Sequence, residues 1–536
     1  MALELNKLTQ SVNALGENAA KRFAELNERL PVLNFAIPAL LLLASTLIRT
    51  HKVDAFPLFY DEASHIRWAK LVWAGEELIA TYDGKILQIW LLAAFWPFTG
   101  ALWLSRTIMA LTSVLGVVFL MRAGSLLDSA EAGWFASGLY LLTPFTFFFD
   151  RMAFTEPVQV VFVAALLWAS PRLVESDRKR WILLTGGLLY LLLITKVLNI
   201  LWTGIPAFAL VLLRGNWRRP LLNVARAYVF FLALMTLTLL LLYWRGKDFG
   251  LAPAQRGLEV SSYTVIFINH LQSLLEGFPF YIPATLLATL AISIGAAVVF
   301  RLRFSFFLLA SALVPAVALL VGTNRFEMRY FYTSYPPLIL LAGIGLRLML
   351  ARLVTGYRLA VALLLVIVLL ATGTADFFSA GWNSPLQLNL GPRDTALYIT
   401  ENPGAAIPAI VNFVQSAASV EPVDLVVTSA SYINYLTTYM GPEPHLYTFF
   451  DYDEPALRMK VYYAGLDHPF ISLADPCRLT FVLGETPRDT ERLNSITVPV
   501  ELVFTAPWPD GDTSYLLYRA NPTDSVLEMF APQGCR

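Results

Sequence analysis

The stretch "PVLNFAIPALLLLASTLIRTHKVDAFPLFYDEASHIRWAK" (31–70) decides how the rest of the chain is read. Its first part, 32–48, is almost wholly apolar. Then, within a short distance, it sets Asp61 and Glu62 side by side. An apolar run of about 17–25 residues matches the thickness of a bilayer's hydrocarbon core. The two carboxylates therefore stand just beyond the first candidate crossing.

Such runs recur through the first 375 residues. They fall near 103–121, 132–149, 157–170, 181–195, 197–213, 225–243, 278–300, 304–322, 330–346 and 357–375, which with 32–48 makes about 11 spans. The chain has 536 residues, of which 57% are hydrophobic. Its mean hydropathy is +0.59. Soluble domains are less apolar than this. Expected from these runs is a polytopic α-helical membrane protein.

Net charge is zero, but it is unevenly distributed. Residues 376–536 hold 8 Lys+Arg against 19 Asp+Glu, and the first 375 carry the compensating excess of cations. The division predicts a membrane domain over 32–375 and a separate soluble domain over 376–536. Basic short connections stay on the cytoplasmic side. "PRLVESDRKR" (171–180), "RGNWRR" (214–219), "RLR" (301–303) and Arg347, Arg352 and Arg358 all fall on one side if the N-terminus is cytoplasmic. The acidic C-terminal domain then lies outside, as do the long loops 50–102 and 244–277. These features predict a multi-pass protein of the plasma (inner) membrane with a periplasmic or exocytoplasmic tail.

Leu5, Leu8, Val12, Leu15, Ala19, Phe23, Leu26 and Leu30 follow helical spacing up to Pro31. Residues 1–31 are thus expected to form a cytoplasmic amphipathic helix, either on the membrane surface or as a seam for another helix. Loop 50–102 holds two helix-like stretches, 62–74 and 86–97. In the tail, "AAIPAIVNFVQSAA" and "ASYINYLTTYM" read as helices. "VDLVVTS", "RLTFVLGE", "VPVELVFTA" and "SYLLYR" read as strands, so the tail is expected to be α/β. The only cysteines, Cys477 and Cys535, lie in that outer tail. An oxidising compartment permits a disulfide there, but spacing does not establish one.

Charges gather at span ends on the outer side: Asp61, Glu62, Lys85, Asp150, Arg151, Glu156, Lys196, Arg325 and Arg329. A charge beside hydrocarbon needs water, a partner or a cavity. Each also has a plain explanation. Asp61 is placed to cap a helix beginning at Glu62. Glu156 can pair with Arg151 across a short turn. Lys196 and Arg329 can snorkel to the interface.

As an ordered set these residues resemble the GT-C membrane glycosyltransferases, in particular bacterial relatives of protein mannosyltransferases and of the aminoarabinose transferases of lipid A. "YDEASHIRWA" (60–69) is similar to that family's Asp-Glu signature in the first outer loop. "DGKILQIWLLAAFWPFTGALWLSRTIMAL" (83–111) resembles its Gly-Lys-Pro-Pro block and the arginine that follows. Lys85 and Arg106 occupy those places, but Ile86 and Leu87 stand where the prolines usually are. "TPFTFFFDRMAFTEPVQVVFVAALL" (143–167) looks like the turn between the third and fourth spans. "RFEMRYFYTSYPPLILLAGIGL" (325–346) is similar to a late Arg-Tyr…Pro block, here Arg329-Tyr330 and Pro336.

The resemblance implies transfer of a sugar from a polyprenyl-phosphate donor to a protein, lipid or glycan acceptor on the outer face, with inversion. A carboxylate takes the acceptor's proton, and fixed cations hold the departing phosphate. Asp61 is then the candidate base, with Glu62 either its orienting neighbour or an alternative base. Glu156 is expected to hold acceptor or sugar. Lys85 and Arg329 are the expected phosphate clamp, joined by Lys196, Arg151 and Tyr330. His270 lies in the second outer loop, a candidate lid, although a lone histidine is more often an ordinary satisfied group. No organic cofactor is implied. Asp61, Glu62 and Glu156 could supply oxygen ligands to a divalent cation, but with Lys and Arg serving the phosphate a metal-free site is favoured. No feature points to nucleic acid. Other readings are a transporter or flippase, an O-antigen polymerase or ligase, and a membrane scaffold whose tail binds a partner.

Overall fold

The computed structural model describes residues 32–75, 84–95, 101–213, 218–246, 263–323, 326–353, 355–420, 423–427, 430–439, 445–448, 479–486 and 500–520. The expected N-terminal helix, Arg325, Cys477 and Cys535 lie outside the described residues, as do positions 247–262 of the second outer loop. The chain divides into two compact units.

The first unit takes in the described residues up to Val53, those of Thr81–Gln88, and Arg106–Asn383. It is helical, because a backbone crossing hydrocarbon must satisfy its own polar groups. Among the described residues, six helical segments are long and apolar enough to cross a membrane: Ala101–Leu127, Glu156–Glu175, Arg218–Trp244, Leu302–Gly322, Met328–Leu350 and Ala360–Asn383. Two bent pairs raise the number to eight. This is a multi-pass membrane protein. Every apolar run in the sequence falls on a helix, yet the number of full-length spans is lower than the expected 11. The reason is breakage and length. Ala130–Leu142 stops at Thr143 because Pro144 has no N–H and disfavours helical backbone before it. The chain turns by 72° and restarts as Pro144–Asp150. Tyr263–Tyr281 and Ala284–Phe300 meet at 112°. Asn34–Thr50 and Val197–Leu213 are shorter apolar helices, and Lys179–Leu193 has 15 residues.

Exposure separates two kinds of helix. Arg218–Trp244 leaves Val229, Leu232, Leu237 and Leu240 open, as a helix facing lipid does. Glu156–Glu175 is buried along most of its length. Close approach fixes the interior. A Cβ on Gly343 would collide with the backbone at Ala132 and Ala136, and one on Gly345 with the Ser293 carbonyl. Glycine there lets three helices touch through their backbones.

The second unit comprises Asp54–Ala80, Ile89–Ser105 and the described residues from Ser384 onward. Its five-stranded sheet has the order β2-β1-β3-β5-β4, from β1 (Val423–Val427), β2 (His445–Thr448), β3 (Leu479–Thr486), β4 (Val500–Pro507) and β5 (Ser514–Ala520). β1 runs parallel to β2 and β3, whereas β5 is antiparallel to β3 and β4. The helices Ile407–Ala418 and Ala430–Tyr439 lie at the expected places. Strand β2 is not among the expected strands. Its run of four residues is too short to show alternation.

The core of this unit joins distant sequence. Leu58, Ala63 and Ile66 from the first outer loop are buried with Ile410, Val414, Leu425, Tyr435, Phe481 and Leu517. Gly404 packs so closely on the Leu58 carbonyl that any side chain there would clash with it.

Candidate active site

In the first unit, four segments from the sequence blocks meet. The Leu87 N–H donates to the Ile194 carbonyl (3.0 Å), and the Gln88 amide donates to the Ala153 carbonyl (2.7 Å). The segment carrying Lys85 is thereby tied to the chain just before Lys196 and just before Glu156. Lys85 itself is buried. Thr333 donates to Gln159, and Gln159 donates to Thr155 (2.9 Å), which ties in the segment carrying Arg329 and Tyr330.

At this convergence Lys196 Nζ lies 3.2 Å from Glu156 Oε1 and 4.7 Å from the centre of the Tyr330 ring. The Arg329 guanidinium stacks over Phe154 at 5.0 Å, flanks Tyr330 at 5.7 Å, and pairs with Glu327 at 2.6 Å. It also acts electrostatically on Glu156. Glu156 opens its helix, with Pro157 next, so its carboxylate sits at the positive end of the helix dipole. Glu156, Glu327 and Arg329 are buried, and the Lys196 side chain remains 12% exposed. The arrangement is two cations, two carboxylates and an aromatic face in a nearly dry setting. A group of this kind can bind an anion by charge-assisted hydrogen bonds.

One plain expectation is corrected here: Glu156 pairs with Lys196, not with Arg151. Lys196 and Arg329 each have a carboxylate partner within the protein, Glu156 and Glu327. Arg151 is fully buried and donates to the carbonyls of His51 (2.8 Å) and Lys52, with Phe147 beneath it at 4.6 Å. These two bonds to backbone brace the chain leaving the first helix. Arg106 is also fully buried and reaches the Val53 carbonyl at 3.4 Å.

A second polar cluster in this unit was not legible in the sequence. Arg49, at the end of Val32–Thr50, donates through Nε to Asp150 at 2.6 Å, and both side chains are fully buried. Asp150 also accepts from the Tyr332 hydroxyl, and the Tyr140 hydroxyl lies 3.1 Å from both its oxygens and 2.7 Å from the Tyr332 hydroxyl. Arg49 adds bonds to Ser45 and Thr146 and lies over the Tyr140 ring at 5.2 Å. An arginine ending an apolar run looks like an ordinary flanking charge, so the sequence reading passes over it.

His270 does not stand in an open loop. It lies in the helix Tyr263–Tyr281, is buried, and bonds through Nδ1 to the Leu320 carbonyl at 3.0 Å. The apolar, helically spaced run 263–281 overrides the loop expected there.

Asp61 and Glu62 belong to the second unit. The helix there begins at Tyr60, with Phe59 as its N-cap, so Asp61 is inside the first turn instead of capping it. Glu62 takes the capping role: its Oε2 accepts from the Phe59 N–H at 3.1 Å, and its side chain is fully buried. Asp61 stays half-buried. This helix is held by Asn434, which accepts from Arg67 (2.8 Å) and donates to Ser64 (3.0 Å). Tyr435 stands by with its ring 6.0 Å from Tyr60. Burial, then the negative fields of Asp61, Tyr60, Glu62 and Glu485, push the Tyr435 hydroxyl well above its ordinary pKa. Among the described residues no three His, Cys, Asp or Glu come close enough together to hold a metal ion.

No protein-family model matches the chain, and no curated protein matches it in sequence. Solved structures do. ArnT from Cupriavidus metallidurans in the apo state is 15% identical, with a TM-score of 0.56 over 89% of this chain and 97% of that one. The same protein bound to undecaprenyl phosphate is 14% identical, with a TM-score of 0.55 over 91% and 97%. The oligosaccharyltransferase of Archaeoglobus fulgidus in its apo form aligns at 12% identity and a TM-score of 0.47, over 86% and 70%. The likeness is one of fold, and it runs almost the full length of both chains in the ArnT pair. The chain shares the overall fold of these two ArnT structures.

Proposed function

We propose that the protein is a glycosyltransferase that moves a sugar from a polyprenyl-phosphate donor to an acceptor at the outer face of the membrane. The observation that carries this reading is the buried Glu156–Lys196–Arg329 group with Tyr330, assembled from segments far apart in sequence. A GT-C fold, and an ArnT that holds undecaprenyl phosphate, support a lipid phosphate as the ligand. The branch of bacterial enzymes resembling protein mannosyltransferases and aminoarabinose transferases is the one the sequence blocks favour.

In the proposed reaction the acceptor's O–H or N–H loses its proton to Asp61 as the new bond forms at the anomeric carbon. The bond from that carbon to the phosphate oxygen breaks with inversion. The polyprenyl phosphate leaves with the electron pair, and Lys196, Arg329 and Lys85 stabilise its charge, with Tyr330 as an aromatic wall. Glu62, engaged as a cap, orients Asp61 and is the weaker candidate for base. Glu156 holds Lys196 in place and meets acceptor or sugar. No metal is invoked. The basic connections favour a cytoplasmic N-terminus, and with the shorter apolar helices also crossing, for about 11 spans, the tail is exocytoplasmic.

The two sharply bent helix pairs favour a second reading, because broken helices line transporter pathways. One assay separates the two. Purified protein is given a panel of radiolabelled polyprenyl-phosphate sugars and an envelope extract from its host, beside Asp61→Asn. Label reaching an acceptor only with the parent protein supports the proposal. No transfer from any donor by folded protein rejects it in favour of a transporter.

A further inference from the structure

The Arg49–Asp150 cluster has no place in the reaction above, yet it connects to it. Asp150 sits at the end of Pro144–Asp150 with no measurable exposure, as do Arg49, Tyr140 and Tyr332. Three pairwise contacts link the Tyr140 hydroxyl, the Tyr332 hydroxyl and the Asp150 carboxylate. Tyr332 approaches Asp150 most closely, the two hydroxyls are 2.7 Å apart, and Tyr140 is 3.1 Å from the carboxylate. Two hydroxyl hydrogens must serve these three contacts. The lengths point to Tyr140 donating to Tyr332 and Tyr332 donating to Asp150, while Arg49 serves the other carboxylate oxygen. Tyr332 is therefore the direct link and Tyr140 a supporting one.

Tyr332 opens the short turn Tyr332–Ser334, which directly follows Met328–Phe331, the segment that carries Arg329 and Tyr330. Its neighbours are pinned as well. Thr333 donates to Gln159. The Thr143 hydroxyl donates to the Leu139 carbonyl, so the Tyr335 hydroxyl, 2.8 Å away, donates to Thr143.

We infer that Asp150, held by Arg49, is a positioning residue: through Tyr332 it fixes the segment 328–335 and so the aim of Arg329 and Tyr330. The inference rests on the proposed role of those two residues at the donor phosphate. A buried, fully paired carboxylate at this point gives the segment one geometry where an apolar contact would leave several.

The test uses the full chain in detergent, comparing the parent protein with Tyr332→Phe, Tyr140→Phe and Asp150→Asn. Two readouts are taken: amide hydrogen exchange and binding of undecaprenyl phosphate. In Tyr332→Phe, exchange at 328–335 is expected to quicken about tenfold while Ala101–Leu127 is unchanged, and undecaprenyl phosphate is expected to bind about tenfold more weakly. Tyr140→Phe is expected to change both less than about twofold. Asp150→Asn is expected to exceed Tyr332→Phe at 328–335; if it does not fold, Tyr332→Phe still decides the matter. Unchanged exchange at 328–335 in Tyr332→Phe, or acceleration spread evenly over all helices, overturns the inference. Failure of the parent protein to bind undecaprenyl phosphate overturns the proposed donor instead, and leaves the exchange result to decide this one.

Discussion

Asp150 and Glu156 stand six residues apart on one short turn, and both are buried carboxylates paired with a cation. Asp150 is closed off. Its two oxygens face Arg49, Tyr140 and Tyr332, and every member has no exposure. Glu156 is paired to Lys196, a flexible side chain still 12% exposed, with Arg329 nearby. The difference separates a fastener from a binding group. A saturated network in a dry interior holds shape and has no valence left for a ligand. A looser ion pair with an accessible ammonium can exchange its partner for an incoming anion.

The comparison is easiest to break at Asp150. Asp150→Ala strands the Arg49 charge in the interior, and removing one partner of such a pair costs about 3–5 kcal/mol. Thermal unfolding in detergent is expected to show this loss, and Glu156→Ala is expected to lose less, because Lys196 can turn toward water. Equal losses would erase the distinction. Next in size is Arg329→Ala, expected to lower transfer by about 10²–10³-fold, since one lost charge-stabilising donor has that effect, and to lower the melting temperature as well, because it takes the paired cation from the buried Glu327 carboxylate. Tyr330→Leu removes the ring beside Lys196 and Arg329. Each such contact is worth about 0.5–2 kcal/mol, so donor affinity is expected to fall several-fold while turnover at saturation is kept.

The smallest effect concerns the second unit and pH. The Tyr435 hydroxyl has a folded-state pKa raised well above its ordinary value of 10.0 by burial and then by Asp61, Tyr60, Glu62 and Glu485. The folded state thus holds its proton more tightly than the unfolded state does. The stability contributed is fully present below pH 10 and is lost as pH rises from there toward the folded value. Denaturation of the protein between pH 9 and 11, followed by tyrosine absorbance, is expected to show this loss, and Tyr435→Phe to reduce it. An unchanged slope in Tyr435→Phe would remove the acidic field around Asp61 from the account.

Much of the membrane unit was legible because hydrocarbon imposes a local rule. Leucine-rich runs had to be helical, and the apolar runs fell on helical segments, some of them divided by a bend. The breaks were harder to read. Pro144 stops one helix, but proline elsewhere, as at Pro315, sits inside an unbroken one; neighbouring packing decides which happens. Among the residues singled out in the sequence, Glu156, Lys196, Arg329 and Tyr330 lie near one another and near the segment of Lys85. Their pairings were not legible.

By itself the sequence determined that this is a multi-pass helical membrane protein with a strand-containing acidic C-terminal region, and that carboxylates and cations collect where spans end. Periodicity, run length and charge density are properties of neighbours along the chain, and they need no contacts to be read. Only the tertiary structure decided which acid meets which base. Arg49 and Asp150 are 101 positions apart, Lys196 and Glu156 are 40, and Tyr332 and Asp150 are 182. Such pairings depend on how helices bend and pack, which for these residues turns on Thr143-Pro144 and on glycines that allow backbones to touch. A charge in a dry interior must find a partner, but the sequence around it does not name that partner.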